Sequence, residues 1–269
     1  MKAGKRILVI SDTHFNAELT AQGAELFKWL NNFFSQYDVV VMNGDCFEIS
    51  NSHWMHRKEH YSDHKEVAAN AALWAIGNVL QDNPHAQFKY VLGNHDCESC
   101  FVEPFKANIN NGIFSNIEVF DKYCRIGDAL FLHGDLPWHH REEGTYPFSN
   151  PILASAYVRT YITLEPLILS GLADNMYNND RICERVSRYL KSELSLNDND
   201  VRGVFLGHTH RPFDHNYNGV RFLNTGIPRI KDRDFFLEIE MHGDSITEIK
   251  NVPCPSYVGT HLSQAVAER

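Results

Sequence analysis

The chain has 269 residues and a formal net charge of −9, with 43% hydrophobic and 22% charged residues. This length fits one large domain, or one domain with a sizeable insertion, and the composition is that of an ordinary globular protein with a buried core. An acidic chain is a poor candidate for coating nucleic acid or an anionic membrane surface, although bound metal ions could create a local positive site.

Length and spacing of the apolar runs predict neither a transmembrane segment nor a signal peptide. The run from Ile7 to Ile10 is too short for both, and no stretch approaches the roughly 18 apolar residues that a membrane-spanning helix needs. The six cysteines form no dense framework, which favours a reduced compartment. We therefore expect a cytoplasmic protein, and the sequence indicates no oligomeric state.

Short apolar runs alternate with helical patterns over the first third of the chain. The periodicity predicts strands at Arg6–Ser11, Asp38–Asn43 and Phe88–Leu92, separated by helices at Glu18–Ser35 and Asp63–Gln81. This alternating order is typical of a largely parallel sheet covered by helices. Ligands of such sheets bind at the carboxyl ends of the strands.

The remaining chain contains more strands and one break in the pattern. Further strands are predicted at Ala129–Leu132, Gly203–Leu206, Arg221–Leu223 and Phe235–Met241. Residues 136–200 contain no predicted strand and two predicted helices, Pro151–Gly171 and Asp180–Leu194, so we interpret them as a helical cap inserted into the domain. Residues 253–269 show little periodicity and are expected to form a loosely ordered tail, leaving 1–252 as the domain.

Five of the predicted strands are followed by residue types that bind metal ions. These segments are Asp12-Thr13-His14, Gly44-Asp45-Cys46-Phe47-Glu48, Gly93-Asn94-His95-Asp96, His133-Gly134-Asp135 and Gly207-His208-Thr209-His210. Residues two apart in an extended chain point to the same side, so Asp12 with His14, and His208 with His210, can each hold one ion. One such residue is usually an ordinary loop residue, but five segments at the same end of the strands indicate a metal site.

The blocks DTH, GD-x-x-E, GNHD, HGD and GHTH, in this order, resemble the signature of the calcineurin-like metallophosphoesterase superfamily. The resemblance extends from Asp12 to His210, with a further family-like element at Asn224-Thr225-Gly226. It implies an α/β fold, namely a four-layer α/β/β/α sandwich with a helical insertion, and two divalent metal ions at one edge of the sheets.

The resemblance also implies a role for each matching residue. The implied metal ligands are Asp12, His14 and His210 for the first ion, Asn94, His133 and His208 for the second, and Asp45 as the bridge between them. The implied catalytic residues are His95, which would protonate the leaving group, and Asp96, which would orient His95. Asn94 and His95 would also contact the substrate, and Arg141, shortly after the fourth segment, is suited to bidentate contact with a phosphate.

The ligand types make chemical sense apart from the resemblance. Asp12 and Asp45 cancel only half of the charge of two divalent ions, so the site stays positive enough to bind a phosphate and to stabilise a metal-bridging hydroxide. Nitrogen and oxygen ligands without thiolate suit manganese, iron, zinc or nickel, of which we expect manganese.

The sequence therefore predicts dinuclear-metal-dependent hydrolysis of a phosphate ester, as a phosphomonoesterase or a phosphodiesterase. We expect a phosphorylated small-molecule or nucleotide-type substrate, since the sequence shows no basic, aromatic-lined groove for nucleic acid.

Two alternatives stay open. The motifs GD-x-F-E and GHTHRP, with the insertion, also resemble the UDP-2,3-diacylglucosamine diphosphatase-like branch, which would make the chain a pyrophosphate hydrolase. That branch has arginine where this chain has His95. A non-catalytic scaffold with the same fold is the second alternative. Loss of metal ligands would mark such a scaffold, and in this chain the ligand set is intact.

Overall fold

The structure is a computed structural model, and it describes residues 4–15, 30–31, 33–49, 61–138, 178–196, 200–226 and 235–253. Its strands are β1 (Lys5–Ile10), β2 (Val39–Asn43), β3 (Gln87–Val91), β4 (Ile117–Phe120), β5 (Cys124–Ile126), β6 (Ala129–Phe131), β7 (Gly203–Leu206), β8 (Phe213–Tyr217), β9 (Val220–Asn224), β10 (Phe235–His242) and β11 (Ser245–Pro253). Its helices are α1 (Tyr61–Asp82), α2 (Ser99–Asn110) and α3 (Asn179–Glu193), with a 3-10 turn at Leu136–Trp138.

The strands form two sheets. The first has the order β11-β10-β1-β2-β3-β4, and the second has the order β5-β6-β7-β9-β8. Strands β1 to β4 are parallel, and so are β6, β7 and β9, while the outer strands β10, β11, β5 and β8 pair antiparallel. The last four residues of β1 and all of β2 are buried, as parallel strands covered on both faces require.

Alternate side chains of each central strand enter different layers of the core. In β1, Ile7 and Val9 pack between the two sheets, whereas Leu8 packs against the helices α1 and α2 on the outer face. The layer between the sheets includes the stacked rings of Phe131 and Phe205, whose centroids lie 5.0 Å apart. The sheets are thus joined by an apolar layer of their own.

Helix α3 covers the other face of the second sheet. Its side chains Ile182, Val186 and Leu190, spaced by four residues, pack against Val204 and Phe222. With α1 and α2 on the first sheet, this gives a helix–sheet–sheet–helix sandwich and confirms the predicted fold class. The predicted insertion, residues 136–200, therefore includes one helix of the sandwich itself.

Other predictions on the architecture fall partly outside the described residues. These include most of the helix Glu18–Ser35, of which residues 30–31 and 33–34 are described and helical, the helix Pro151–Gly171, and residues 254–269. The boundaries 136–200 and 253–269 stay predictions. In the described part of the chain, no helix is long and apolar enough to cross a membrane.

The seven predicted strands correspond to β1, β2, β3, β6, β7, β9 and β10, and each predicted end lies within one residue of the observed end. The sequence patterns did not predict the strands β4, β5, β8 and β11 or the helix α2. Strands β4 and β5 have only four and three residues, and α2 contains Pro104, which disrupts the helical pattern. In β8, residues of intermediate burial alternate with exposed polar ones, which gives a weak apolar signal.

Candidate metal centre

The five motif segments follow β1, β2, β3, β6 and β7 and meet at one end of the sandwich. Backbone hydrogen bonds join neighbouring loops. The N–H of Asp12 donates to the carbonyl of Gly44 at 3.1 Å, and that of Gly207 donates to the carbonyl of His133 at 2.9 Å. The N–H of His208 donates to the Asp12 carboxylate at 2.9 Å, and this bond links the loops of the two sheets.

These loops contain an unusual backbone conformation. Residues other than glycine rarely adopt the left-handed backbone conformation with positive φ, because it costs on the order of 1–3 kcal/mol per residue. At this end of the sandwich the residues with φ between 44° and 67° are Asp12, His14, Asp45, His208 and His210. Each of them is a predicted metal ligand, so the strain is concentrated on the side chains that would do the chemistry.

Close approach of the backbone to the ligands depends on glycine at two positions. A Cβ atom on Gly93 would overlap the Asp45 carboxylate, and one on Gly207 would lie 2.7 Å from Ser11 Oγ and would also crowd Asp12 Oδ2. Any larger residue at either position would displace a predicted ligand.

We define subsite 1 as Asp12, His14 and His210, which bring one ligand atom each to within 4.8 Å of one another. The Nε2 atoms of His14 and His210 lie 3.1 Å apart, and His210 Nε2 lies 3.4 Å from Asp12 Oδ1. Burial and the proximity of His14 hold the pKa of His210 well below its ordinary value. Its imidazole is therefore neutral, which is the form that binds a metal ion.

We define subsite 2 as Asp45, His133 and His208, which meet the same 4.8 Å criterion. The ring of His133 is fixed from behind, because its Nδ1–H donates to the carbonyl of Asn43 at 3.1 Å. This bond aims Nε2 of His133 toward Asp45 Oδ2, which lies 3.0 Å away. The contact between these two atoms does not have the geometry of a hydrogen bond. Such an arrangement is typical of a metal-binding histidine held by a neighbouring acceptor.

Two buried polar atoms, one in subsite 2 and one in an adjoining loop, test whether a metal ion fits. In the described part of the chain, Asn94 Oδ1 and His133 Nε2 are buried and have no hydrogen-bond partner. Asn94 belongs to the loop whose next residue, His95, donates its backbone N–H to Asp45 Oδ1 at 2.8 Å. Orphaned buried atoms of this kind are rare and need an explanation, and a divalent cation bound there would provide one.

Glu48 was quoted in the second motif but received no role from the sequence. Its buried carboxylate accepts hydrogen bonds from two histidines, His14 Nδ1 at 3.2 Å and His95 Nδ1 at 2.8 Å. Burial raises the pKa of Glu48, but the charges of and hydrogen bonds from His95 and His14 outweigh it and hold the pKa far below its ordinary value. Glu48 is therefore ionised and orients a predicted ligand and the predicted proton donor together.

The orienting role expected of Asp96 stays a prediction, and the contacts of this residue that the structure shows are with other groups. The Asp96 carboxylate is fully buried and accepts from the Tyr90 hydroxyl at 2.7 Å and from the N–H of Cys46 at 3.1 Å and of Gly93 at 2.5 Å. Asp96 thus links the loops to one another. Burial and the charge of Asp45 raise its pKa to about 6.

The structure brings six of the seven predicted ligands into the two subsites, and Asn94 adjoins subsite 2 through its neighbour His95. His95 itself is partly buried beside them, its ring centroid 4.9 Å from that of His14. Arg141, the predicted phosphate contact, lies outside the described residues.

Comparison of the sequence with known protein families gives one match. A family model described as calcineurin-like phosphoesterase matches residues 5–212. No curated protein matches the sequence significantly.

Solved structures show distant likenesses. A predicted phosphoesterase from Streptococcus pneumoniae aligns at 14% identity over 95% of this chain and 96% of its own, with a TM-score of 0.41. An archaeal phosphodiesterase aligns at 15% identity over 92% and 99%, with a TM-score of 0.41. The phosphoesterase Yfce from E. coli aligns at 15% identity over 91% and 98%, with a TM-score of 0.39. These likenesses are too distant to carry an argument about activity.

Proposed function

Because the chain belongs to the calcineurin-like phosphoesterase family, we propose that it hydrolyses a phosphate ester with two divalent metal ions held in subsites 1 and 2. The observation that carries this proposal is the convergence of three potential ligand atoms within 4.8 Å of one another in each subsite. When bound, such ions supply Lewis-acid charge to the phosphoryl oxygens and activate a water molecule as the nucleophile.

Asp45 is the proposed bridge between the two ions. Burial raises the pKa of Asp45, but the neighbouring charges of His133 and His95 more than offset that effect and hold the pKa well below its ordinary value. The carboxylate is therefore ionised, as a bridging ligand must be. Its position is fixed by the backbone N–H of His95, which donates to Oδ1 at 2.8 Å.

His95 is the proposed proton donor to the leaving group. Glu48 accepts the proton of His95 Nδ1 and fixes the plane of the ring. The proton that the leaving group receives is assigned to the other ring nitrogen, Nε2. Since the same carboxylate also holds His14, the proton donor and subsite 1 keep a constant relative position.

The substrate is proposed to be a phosphorylated small molecule or a nucleotide-type compound. With divalent ions bound, the two subsites would carry a net positive charge that attracts the phosphoryl group, and the remainder of the substrate would contact other parts of the protein. Hydrolysis of a UDP-2,3-diacylglucosamine-type pyrophosphate is the narrower alternative, and the presence of His95 where that branch has arginine counts against it.

The test begins with protein stripped of metal by a chelator and reloaded with Mn²⁺, or with Fe²⁺, Zn²⁺ or Ni²⁺ in parallel. The assay panel is p-nitrophenyl phosphate, bis-p-nitrophenyl phosphate and a nucleoside diphosphate sugar. We expect chelation to abolish hydrolysis, reloading to restore it, and metal analysis to find two ions per chain. The preferred member of the panel then separates monoesterase, diesterase and pyrophosphate hydrolase.

Two variants complete the test. Asp45→Asn removes a bridging charge and should lower kcat by about 10²–10³-fold, the range seen for losing one preorganised electrostatic contact. His215→Ala is the matched control, because His215 pairs with Asp180 at 2.7 Å on the surface and should leave kcat unchanged. Metal-loaded wild type that hydrolyses nothing in the panel, or Asp45→Asn with wild-type kcat, would contradict the proposal.

A further inference from the structure

We propose that Thr225 is a positioning residue for subsite 1, acting on Asp12 through the hydroxyl of Ser11. This inference rests on the proposed metal centre. Ser11 follows β1 in the first sheet, and Thr225 follows β9 in the second. Ser11 Oγ makes short contacts with both Asp12 Oδ2 and Thr225 Oγ1, and all three residues are buried, with at most 3% of their surface exposed.

The chemistry of the groups fixes the direction of both hydrogen bonds. The O–H of Ser11 donates to Asp12 Oδ2, and a hydroxyl has only one proton to donate. Ser11 Oγ then has only lone pairs to offer Thr225, so the Thr225 hydroxyl donates to it across this short contact, in preference to the carbonyl of Gly226, which lies 3.4 Å away. The result is a relay in which Thr225 orients Ser11 and Ser11 orients the carboxylate, across 214 residues of sequence.

The relay completes the restraint of the Asp12 carboxylate. The backbone N–H of His208 donates to Oδ1 at 2.9 Å and lies 3.2 Å from Oδ2, while Ser11 holds Oδ2 from another side. So restrained, Oδ1 lies 3.4 Å from His210 Nε2, its partner in subsite 1. Without the Thr225 hydroxyl, Ser11 can rotate its own hydroxyl away and release one side of the carboxylate.

The neighbouring residue Asn224 supports the same loop from the backbone side. Its buried side-chain amide donates to the carbonyl of Gly207 and to Thr209 Oγ1 at 3.1 Å, and its oxygen accepts from the N–H of Gly226 at 2.8 Å. Asn224 therefore shapes the loop that carries His208 and His210, whereas Thr225 reaches past that loop to the ligand on the other sheet. The two residues have separable effects, and only Thr225 is specific to subsite 1.

The experiment compares Thr225→Val with Thr225→Ser. Valine keeps the shape of threonine and loses the hydroxyl, while serine keeps the hydroxyl and loses only the methyl group. Mn²⁺ binding to metal-free protein is followed by electron paramagnetic resonance, which distinguishes a spin-coupled pair from a single ion, and the melting temperature is measured with and without Mn²⁺. We expect Thr225→Val to weaken one of two Mn²⁺ sites by about 10–100-fold and to lose the coupled signal, as is usual when the support of a ligand is removed. Thr225→Ser should bind like wild type.

A second variant tests the relay itself. Ser11→Ala should produce the same loss at the same site, and the double variant Ser11→Ala, Thr225→Val should lose no more than either single one, because the two hydroxyls act as one unit. Should Thr225→Val fail to fold, Ser11→Ala alone decides the question. A merely structural role would lower the melting temperature without Mn²⁺ and leave both Mn²⁺ affinities unchanged.

Several results would overturn the inference. Unchanged Mn²⁺ affinity in a folded Thr225→Val or Ser11→Ala variant would do so, as would equal weakening of both sites or additive losses in the double variant. Wild type that binds no Mn²⁺ would overturn the inference together with the proposed function. Wild type that binds two Mn²⁺ ions but hydrolyses nothing in the assay panel would overturn the hydrolase proposal alone.

Discussion

The two ends of the sandwich solve the same backbone problem with different residues. At the end opposite the candidate metal centre, the hairpin turns that need positive φ place glycine there, at Gly127, Gly219 and Gly243, with one asparagine, Asn218. At the metal-centre end, Gly44, Gly134 and Gly226 also have positive φ, but so do two aspartates and three histidines, with φ between 44° and 67°. Glycine accepts this region freely, whereas the other side chains do not.

Hydrogen bonding differs between the ends in the same sense. At the far end, the N–H of Asp128 donates to the carbonyl of Asp244, and Asp128 Oδ1 accepts from the N–H of Ile246, both at 2.8 Å. At the metal-centre end, within the described ranges, Asn94 Oδ1 and His133 Nε2 are buried and have no hydrogen-bond partner. Compared with these hairpin turns, the metal-centre end has strained backbone at non-glycine residues and buried atoms without a hydrogen-bond partner, and a bound ion would satisfy those atoms.

The largest effect is expected at the metal-centre end, from a substitution that lowers kcat without changing the fold. His95→Ala should lower kcat for an alkyl phosphate by about 10²–10⁴-fold, since an alkoxide needs a proton to depart. For p-nitrophenyl phosphate, whose leaving group departs without a proton, the loss should be much smaller. Steady-state kinetics on both substrates, with metal content measured in parallel, would count against the acid role if the two losses were equal.

At the far end, a glycine pair separates a steric clash from backbone strain. Gly127 and Gly243 both have positive φ, but a Cβ on Gly127 would overlap the carbonyl of Asp244, and one on Gly243 would meet nothing within 4 Å. We expect Gly243→Ala to cost about 1 kcal/mol of unfolding free energy and Gly127→Ala about 3 kcal/mol, because only the latter must also move backbone. Urea denaturation gives both values, and kcat of the folded protein should not change. Equal losses would contradict the clash.

The strain at the metal-centre end also predicts a difference in stability between two variants that both remove the imidazole of His210. His210 has φ of 56°, so His210→Gly relieves strain that His210→Ala retains. In metal-free protein, the glycine variant should be more stable than the alanine variant by about 1 kcal/mol, although both lose a ligand of subsite 1. Thermal unfolding in the presence of a chelator measures the difference. A glycine variant that is less stable than the alanine variant would show that the left-handed conformation stores no strain here.

The smallest effect belongs to the middle of the first sheet, which serves as a reference for both ends. Glu238 accepts a hydrogen bond from Arg6 at 2.8 Å. Burial raises the pKa of Glu238, but hydrogen bonds from Arg6 and Tyr37 outweigh it and hold the pKa below its ordinary value. A depressed carboxyl pKa stabilises the fold above the unfolded-state pKa, and that stabilisation disappears as the pH falls through the folded-state pKa.

Glu238→Gln should therefore cost roughly 1 kcal/mol at pH 7 and little at pH 3, as seen in urea denaturation at the two pH values. Glu248→Gln is the matched control, since the Glu248 side chain is about half exposed and should matter at neither pH. A loss for Glu238→Gln that is independent of pH would assign the effect to packing.

What the sequence predicted well are features that depend on local order along the chain. The ligands Asp12, Asp45 and His133 each follow a buried parallel strand, and parallel strands necessarily bring such residues to one edge. The layering was predictable for the same reason, because apolar runs separated by helical patterns have few ways to pack.

What the sequence did not predict depends on side-chain direction and on weak edge strands. The sequence did not predict that Glu48 accepts a hydrogen bond from the ring of His95, because the two residues are 47 positions apart and their contact depends on how two loops meet. Strand β8 was missed although Asn218-Gly219, which follows it, is the strongest short hairpin signal. That dipeptide would have predicted the β8–β9 hairpin.

Each subsite takes ligands from both sheets, and this has a consequence for the order of events during synthesis. Asp12 and His14 emerge from the ribosome early, but their partner His210 is about two hundred residues later in the chain. A nascent chain that stops short of β7 therefore presents carboxylates and imidazoles that have no complete site in which to retain a metal ion. A metal ion bound as proposed would therefore be retained only late in the biogenesis of this protein, after both sheets have closed on each other.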